Sequence, residues 1–169
     1  MRKIIGAVLL YAFFEGKILF LHAREKDGMP SKWNGLGGKL ELGESMRDAA
    51  VREFEEEAAC PTRREQWQWT GQLFFPNFKA HKSEDWWVNV YTTVLTPEQA
   101  ALIPLNDDRR VEGTLHWLNI DTLSELDLWD GDLHFLPLVL NQKPFEGTFY
   151  YENGKCVRHE LALLSASNQ

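Results

Sequence analysis

The sequence predicts a layered α/β (α+β) domain, because strand patterns and helix patterns alternate along the chain. Two hairpin patterns carry most of the strand prediction. A turn at Glu15-Gly16 joins two apolar runs near the start, and Asn153-Gly154 joins two more near the end. Between them, apolar residues recur at every fourth position from residue 46 to residue 58, which is the period of an amphipathic helix. These patterns predict a helix that buries one stripe against a sheet.

The first hairpin is expected over Ile4–Phe14 and Lys17–Leu21. A signal peptide is the alternative for this segment, because Arg2-Lys3 precedes the apolar run, but no small-residue cleavage site follows it. No stretch of the chain reaches the roughly 20 apolar residues that span a bilayer, so we expect no membrane partner. A loop over Arg24 to Leu36 follows the hairpin.

The first helix is expected to begin near Glu44 or Ser45. Ser45 and Asp48 resemble a capping box, and the glycine before Glu44 suits a turn. The stripe that docks this helix on a sheet consists of Met46, Ala50, Phe54 and Ala58.

Two aromatic and β-branched segments after the helix predict strands, at Trp67–Phe75 and Trp86–Leu95, with a polar loop over Pro76–Asp85 between them. Thr96 is then expected to cap a short helix that has Pro97 in its first turn.

The last third of the chain predicts two helices and three strands. Gly113–Asn119 is expected to be a strand, and Asp121 is expected to cap a brief helix through Leu126. Leu133–Asn141 predicts a helix that Pro137 limits or kinks. The final hairpin pairs Phe145–Tyr151 with Lys155–Leu161.

Bulk properties favour one globular domain over residues 1–169 with a small-molecule partner. The chain has 169 residues, seven tryptophans and a net charge of -7. This charge argues against a nucleic-acid polymer, whose partners usually carry a basic face. Two cysteines, Cys60 and Cys156, suggest a reducing compartment, and we expect a cytoplasmic protein that is a monomer or a small homo-oligomer.

The predicted helix carries an acidic face. Relative to Glu53, an advance of about 100° per residue places Glu57 and Glu56 roughly 40° and 60° to either side. A hard divalent cation with oxygen ligands would relieve the repulsion between these carboxylates, and Arg52 lies four residues before Glu56, where it can hold that carboxylate. The alternative is a solvated acidic face that ion pairs stabilise.

The full pattern around this helix resembles the box that defines the Nudix hydrolases. Residues 38–60 read G-K-L-E-L-G-E-S-M-R-D-A-A-V-R-E-F-E-E-E-A-A-C, which matches G-x5-E-x7-R-E-U-x-E-E at every charged position. One position departs, because Ala59 stands where the family has a glycine after the helix, which puts the local exit geometry in question. The resemblance implies the Nudix fold, with a mixed β-sheet sandwiched between helices.

A closer resemblance runs along nearly the whole chain. Residues 33–39 (W-N-G-L-G-G-K), Gly71-Gln72, Leu128-Trp129, and Phe135 to Phe145 followed by Gly147 are similar to the MutT-homologue oxidised purine nucleoside triphosphatases, which hydrolyse 8-oxo-dGTP. The spacing between Trp117 and Trp129 also agrees with that family.

This resemblance implies a magnesium site, for which Mn²⁺ can substitute, and a catalytic set. The implied metal ligands are Glu53, Glu56, Glu57, Glu112 and the backbone of Gly38, and Arg52 and Glu44 join the carboxylates in the catalytic set. The assignment of Glu112 rests on spacing alone, and the segment from Thr93 to Glu112 is several residues longer than in the family. The implied reaction is attack of water on a triphosphate, which releases a monophosphate and pyrophosphate.

The implied substrate-binding residues are Asn34, Gly37, Gly38, Lys39, Phe75, Trp129, Asp130 and Asp132. An asparagine can offer a donor and an acceptor to a purine edge, and a tryptophan can stack on the base. The family has two adjacent acids at positions 131 and 132, whereas this chain has Gly131 and Asp132, so Asp130 is a candidate replacement or the base selectivity differs. Other nucleotide substrates (an ordinary dNTP, ADP-ribose, a dinucleotide or a 5′-triphosphate RNA end) and a catalytically silent Nudix binding module are the alternatives.

Overall fold

The structure is a computed structural model that describes residues 1–26 and 28–165. These residues contain nine strands and three α-helices. The strands are β1 (Lys3–Phe14), β2 (Lys17–Ala23), β3 (Trp33–Asn34), β4 (Leu36–Lys39), β5 (Gln68–Lys79), β6 (Glu84–Val94), β7 (Gly113–Asn119), β8 (Phe145–Glu152) and β9 (Lys155–Leu163). The helices are α1 (Met46–Ala58), α2 (Pro97–Leu102) and α3 (Asp132–Leu140).

The strands form one mixed sheet in the order β3-β2-β1-β6-β5-β8-β9, with β4 beside β1 and β7 beside β2. The longest pairing is parallel and joins β1 to β6 from Lys3 opposite Glu84 to Phe13 opposite Val94. β4 lies antiparallel to the middle of β1, where Gly38 faces Val8. The sheet thus places the first residues of the acidic box directly beside the central strand.

Alternate residues of β1 point into two separate cores, as the two-residue period of a strand requires. Leu10 packs on the face that α1 covers, where Phe54 is fully buried. Tyr11 points to the opposite face, which α3 covers with Phe135. The predicted mixed sheet between helices is therefore confirmed, and the shared sheet supports the proposal of a single domain.

Both predicted hairpin turns and two of the three predicted helix caps are confirmed. Ser45 is the N-cap of α1, and its hydroxyl accepts a hydrogen bond from the Asp48 backbone at 3.2 Å. Thr96 caps α2 with a reciprocal bond from Gln99. Both hairpins occur, with turns at residues 15–16 and 153–154.

Two predicted loops are wrong in part. The segment Pro76–Asp85 is largely strand, because β5 continues to Lys79 after an irregularity in its pairing with β6. The Asp85 carboxylate accepts a hydrogen bond from the Asn77 backbone at 2.6 Å and closes this turn. The loop over Arg24 to Leu36 contains β3 and the first residue of β4, whose two-residue and four-residue lengths are too short to leave a periodic pattern.

The prediction that Asp121 caps a helix is also wrong. The segment Ile120–Glu125 forms a 3₁₀ helix whose N-cap is Asn119, so Asp121 lies in the first turn. α3 begins at Asp132 and accommodates Pro137 in its interior. Among the described residues, no helix has both the length and the apolar character needed to cross a membrane.

Ala59 ends α1 in the left-handed conformation, with φ 52° and ψ 31°, and its N–H bonds to the Glu55 carbonyl. A residue with a Cβ is strained in this region, where glycine is the usual choice. The departure at Ala59 therefore changes the residue and leaves the geometry of the helix exit in place.

Ala59→Gly is expected to raise the free energy of unfolding by roughly 1 kcal/mol, because it relieves this backbone strain. Denaturant unfolding followed by circular dichroism measures the change. Ala101→Gly is the matched control, since Ala101 is an exposed alanine within a helix. This control should lower the free energy of unfolding by about 1 kcal/mol. Loss of stability in both variants would contradict the assigned strain.

Candidate active site

The Arg52 guanidinium joins the turn before α1 to the helix and to β4. It binds the Glu44 carboxylate through two bonds of 2.8 Å and the Glu53 carboxylate through a third bond of 2.8 Å. It also donates to the Lys39 carbonyl at 3.0 Å. The bond to Arg52 lowers the pKa of Glu44. Glu44 and Arg52, which were predicted as catalytic, thus form a brace between helix and strand.

Arg52 contacts Glu56 more weakly than the sequence predicted. The closest approach is 3.4 Å, and the Glu56 side chain is 59% exposed. Glu53 is only 13% exposed on its side chain, so it lies on the inner face of the helix. The first-choice partner of Arg52 is Glu44, because that carboxylate presents both oxygens to the guanidinium fork.

Glu53 packs directly against the backbone of Gly38. A Cβ at position 38 would overlap the Glu53 carboxylate, so the close approach requires glycine. This contact places the Glu53 oxygens beside β4, in the position where the sequence predicted a Gly38 carbonyl and a carboxylate in one site.

Glu57 lies deepest of the box carboxylates. Its Oε2 accepts a hydrogen bond from the Gly37 backbone at 2.9 Å. The pKa of Glu57 is raised to about 7, mainly by burial and also by the charges of Glu53 and Glu112, while the Gly37 hydrogen bond and Arg110 oppose the shift. The Arg110 guanidinium donates to the Glu57 backbone carbonyl at the end of the helix. Glu57, Glu53 and Glu112 are therefore electrostatically coupled.

The predicted metal ligands are close to one another but not gathered into a finished cation site. Within residues 1–26 and 28–165, no three carboxylate, histidine or cysteine side chains form a ready metal-binding cluster. The donor set nevertheless suits a hard cation, because it consists of coupled carboxylates beside the backbone of Gly38. Burial is the main cause of the raised pKa of Glu57, and a divalent cation beside this group would favour its charged form.

A cavity of about 330 Å³ is lined both by Glu57 and by Asp132, the first residue of α3. Its walls are mainly apolar, with a few polar groups, as is usual for a small-molecule site. The predicted substrate-binding residues on its walls are Asn34, Gly37, Gly38, Phe75, Trp129 and Asp132. The structure therefore joins the predicted base-binding residues and one predicted catalytic carboxylate in a single pocket. Lys39 lies at its border, with Nζ 5.1 Å from the Trp86 ring centre.

The side chains of Asn34 and Trp129 are joined by a hydrogen bond. The Trp129 indole N–H donates to Asn34 Oδ1 at 2.7 Å, and Asn34 Nδ2 donates to the Lys32 carbonyl at 3.2 Å. Lys32 Nζ lies 5.5 Å from the centre of the Trp129 ring and pairs with Asp127 at 2.6 Å. Asn34 thus fixes the orientation of the indole, and one hydrogen of its amide remains for a ligand.

Asp132 is partly buried on the pocket wall. Removal of its carboxyl group from water raises its pKa to about 7, although Lys32 opposes this shift. The buried Tyr11 hydroxyl lacks a hydrogen-bond partner among the described residues, and the charge of Asp132 raises its pKa, so the two groups are close. A protonated Asp132 can donate a hydrogen bond into the pocket.

Asp130 does not line the pocket. Its carboxylate accepts a hydrogen bond from the Cys156 backbone at 3.2 Å, so this placement does not support the prediction that Asp130 replaces the missing acid. The Tyr151 hydroxyl accepts from the Gly131 N–H at 2.7 Å, and a Cβ at position 131 would lie 2.6 Å from that hydroxyl. Tyr151 therefore occupies the space that an acidic side chain at position 131 would need.

Three aromatic residues of the pocket were not predicted as site residues from the sequence. Phe78, Trp86 and Tyr151 all line the cavity, and Phe78 packs against the other two rings at centroid distances of 5.7 Å and 6.0 Å. Trp86 and Tyr151 lie in predicted strands and Phe78 lies in the predicted loop Pro76–Asp85, but which faces enclose a pocket depends on long-range pairing.

A family model described as the NUDIX domain matches residues 2–139 of this chain. The chain belongs to the Nudix family. Members of this family bind small nucleotides and generally use divalent metals, and the chain is accordingly a Nudix pyrophosphohydrolase. The fold and the box predicted from the sequence are confirmed by this match.

Two relatives of this Nudix chain are described as oxidized purine nucleoside triphosphate hydrolases. The one from Danio rerio is 27% identical over 147 residues, which cover 86% of each chain. The one from Mus musculus is 27% identical over 122 residues, which cover 72% of this chain and 71% of the relative. The crystal structure of the mutator MutT protein from Bacillus halodurans shares the fold, with a TM-score of 0.77, 21% identity, and coverage of 93% of this chain and 97% of that chain.

The Asp132 carboxyl group of the Nudix chain should make stability depend on pH. Its pKa of about 7 exceeds the ordinary value of 3.8, so the folded state keeps a proton that the unfolded state releases. The free energy of unfolding should therefore fall as pH rises from about 4 to 7. Asp132→Asn removes this loss, and its stability relative to the wild type should increase across the window by up to about 4 kcal/mol.

Urea unfolding of both proteins at pH 4, 5.5 and 7 measures this difference. Glu57 titrates over the same range but is present in both proteins, so its contribution cancels. A difference that stays constant with pH would show that Asp132 is ionised in the folded protein at neutral pH.

Proposed function

We propose that this Nudix enzyme hydrolyses oxidised purine nucleoside triphosphates such as 8-oxo-dGTP to the nucleoside monophosphate and pyrophosphate. The observation that carries the proposal is the single pocket whose walls include Trp129 and Asp132 together with Glu57. This arrangement suits a purine held by aromatic rings and a polyphosphate directed toward the carboxylates. The relatives described as oxidized purine nucleoside triphosphate hydrolases support the same substrate class.

The residues that would hold Mg²⁺, or Mn²⁺ in its place, are Glu53, Glu56, Glu57, Glu112 and the Gly38 carbonyl. A bound divalent cation neutralises phosphate charge and makes a water molecule more acidic. Arg52 keeps Glu53 in place against Gly38 while a substrate binds. One of these four carboxylates removes the proton from the attacking water.

Base recognition depends on the opposite end of the pocket. Trp129 stacks on the purine, and its bond to Asn34 keeps the ring from turning. Asp132 in its protonated form donates to an acceptor on the purine edge, and the free hydrogen of the Asn34 amide offers a second donor. Gly37 and Gly38 line the route from the base to the carboxylates. The two cysteines of the described chain are unpaired, which supports the proposal of a cytoplasmic enzyme.

A substrate panel tests the proposal. In the presence of Mg²⁺, released pyrophosphate is measured for 8-oxo-dGTP, 2-hydroxy-dATP, dGTP and triphosphorylated RNA, and released AMP is measured for ADP-ribose. The oxidised purine triphosphates should have the highest kcat/KM, and excess chelator should abolish turnover. Release of orthophosphate in place of pyrophosphate, or a preference for ADP-ribose, would contradict the proposed reaction.

Glu53→Gln and Glu57→Gln should each lower kcat on the order of 100-fold, because the amide keeps the shape and removes the charge. Glu55→Gln is the matched control, since Glu55 lies on the exposed face of the same helix and should retain full activity. Circular dichroism checks that all three variants keep their fold. Equal activity in all of them would reassign the acidic face to solvation.

Two further substitutions separate base recognition from catalysis. Trp129→Ala should weaken the binding of all purine substrates by roughly 1–3 kcal/mol, because one stacking surface is lost. Asp132→Asn fixes an amide donor in place of a titrating acid, so it should change the ratio of kcat/KM for 8-oxo-dGTP over dGTP. Steady-state kinetics on both nucleotides decide the result, and equal losses on each for Asp132→Asn would place base selection elsewhere.

A further inference from the structure

A second, more open groove of about 960 Å³ lies beside the base pocket. It is enclosed by the turn between β5 and β6 (residues 77–82), the turn between β8 and β9 (residues 152–154) and the loop side chains of Lys26 and Met29. The two cavities share Phe78, Trp129 and Tyr151 as walls. The groove does not reach the box carboxylates, because Glu57, Gly37 and Gly38 line only the base pocket.

The groove has a local charge opposite to that of the whole chain. Its lining includes Lys26, Lys79 and Lys82 together with His81, against one acid at Glu152. Within the described residues, none of these three lysines forms an ion pair. The chain as a whole carries a net charge of -7, so this cationic lining stands apart from the average surface. Unpaired ammonium groups in a concave site attract an anion.

Lys79 lies where the groove meets the base pocket. Its Nζ is 5.1 Å from the centre of the Trp86 ring, and Trp86 is a wall of the base pocket. Phe78, the residue before it, is 40% exposed and faces both cavities. A ligand that fills the base pocket and carries an anion on the side that faces the groove would therefore place that anion beside Lys79.

The chemistry of a nucleotide limits where that anion can be attached. The 5′-phosphates of a substrate must extend toward Glu57, at the end of the pocket that the groove does not touch. An anion in the groove that belongs to the same ligand must then be attached to another part of the nucleoside, where phosphate is carried on a sugar hydroxyl. The 3′ hydroxyl is common to ribonucleotides and deoxyribonucleotides.

We infer that this groove is a phosphate subsite, and that the enzyme accepts nucleoside 5′-polyphosphates that bear a second phosphate on the 3′ hydroxyl. The inference rests on the proposed function for the identity of the base pocket. Lys79 and Lys82 bind the 3′-phosphate from the β5–β6 turn, and Lys26 faces it from the opposite loop. The ammonium groups act as point charges in an exposed groove, so the affinity that they add falls as salt rises.

Equilibrium binding tests the inference without any requirement for turnover. Quenching of tryptophan fluorescence is measured with 8-oxo-deoxyguanosine and with 8-oxo-deoxyguanosine 3′-monophosphate, in metal-free buffer at low ionic strength. The 3′-monophosphate should bind on the order of tenfold more tightly, since several exposed charge pairs act together. The double variant Lys79→Gln, Lys82→Gln should lose this advantage and bind the nucleoside as the wild type does.

The matched control is the double variant Lys17→Gln, Lys143→Gln, which changes the net charge equally and touches neither cavity. It should keep the tenfold advantage, and loss of the advantage in both double variants would overturn the inference in favour of a general charge effect. Inorganic phosphate at matched concentration, added with 8-oxo-deoxyguanosine, should not reproduce the tighter binding. If inorganic phosphate does reproduce the tighter binding, the groove binds a separate anion, and the inference that the substrate carries a second phosphate is refuted.

The outcomes also separate this inference from the proposed function. A 3′-phosphate advantage in a protein that fails to hydrolyse 8-oxo-dGTP would retain the subsite and remove the proposed reaction. Hydrolysis of 8-oxo-dGTP with no 3′-phosphate advantage would retain the reaction and remove the subsite.

Discussion

The brace formed by Arg52 is the interaction on which the site depends. A single guanidinium holds Glu44 in the turn, Glu53 on the helix and the Lys39 carbonyl on β4. Without it, carboxylates that repel one another would face a strand with no cation to set their spacing. Because lysine offers one point charge and no planar fork, only arginine can satisfy these three acceptors together. The packing of Glu53 on Gly38 and the burial of Glu57 follow from that docked position.

The local parts of this fold could be predicted from the sequence because their causes are local. The Ser45 cap, the Thr96 cap and the Asn153-Gly154 turn depend on hydrogen bonds and backbone preferences within a few residues. The box carboxylates were predictable from their spacing. Phe78 and Tyr151 were not, because they meet only through the pairing of β5 with β8.

The base pocket shows how one substitution in a family pattern is accommodated by a distant residue. Gly131 leaves a gap that the Tyr151 hydroxyl fills, and this hydroxyl accepts a hydrogen bond from the Gly131 N–H. A side chain at position 131 would collide with it. The remaining acid, Asp132, is then alone on an apolar wall, which explains its raised pKa. No pattern around position 131 could reveal this, since Tyr151 lies twenty residues later, on strand β8.

The parallel pairing of β1 with β6 has a consequence for the order of folding. Lys3 meets Glu84 and Phe13 meets Val94, so the first strand finds its main partner only after more than half of the chain has been made. During synthesis the nascent β1 can pair with β2 and β4, and α1 can cover one of its faces, but the edge that pairs with β6 stays open until β6 leaves the ribosome. The face of β1 that α3 covers stays exposed for longer still. Contacts of such long sequence separation make folding slow and leave the early chain dependent on protection from aggregation.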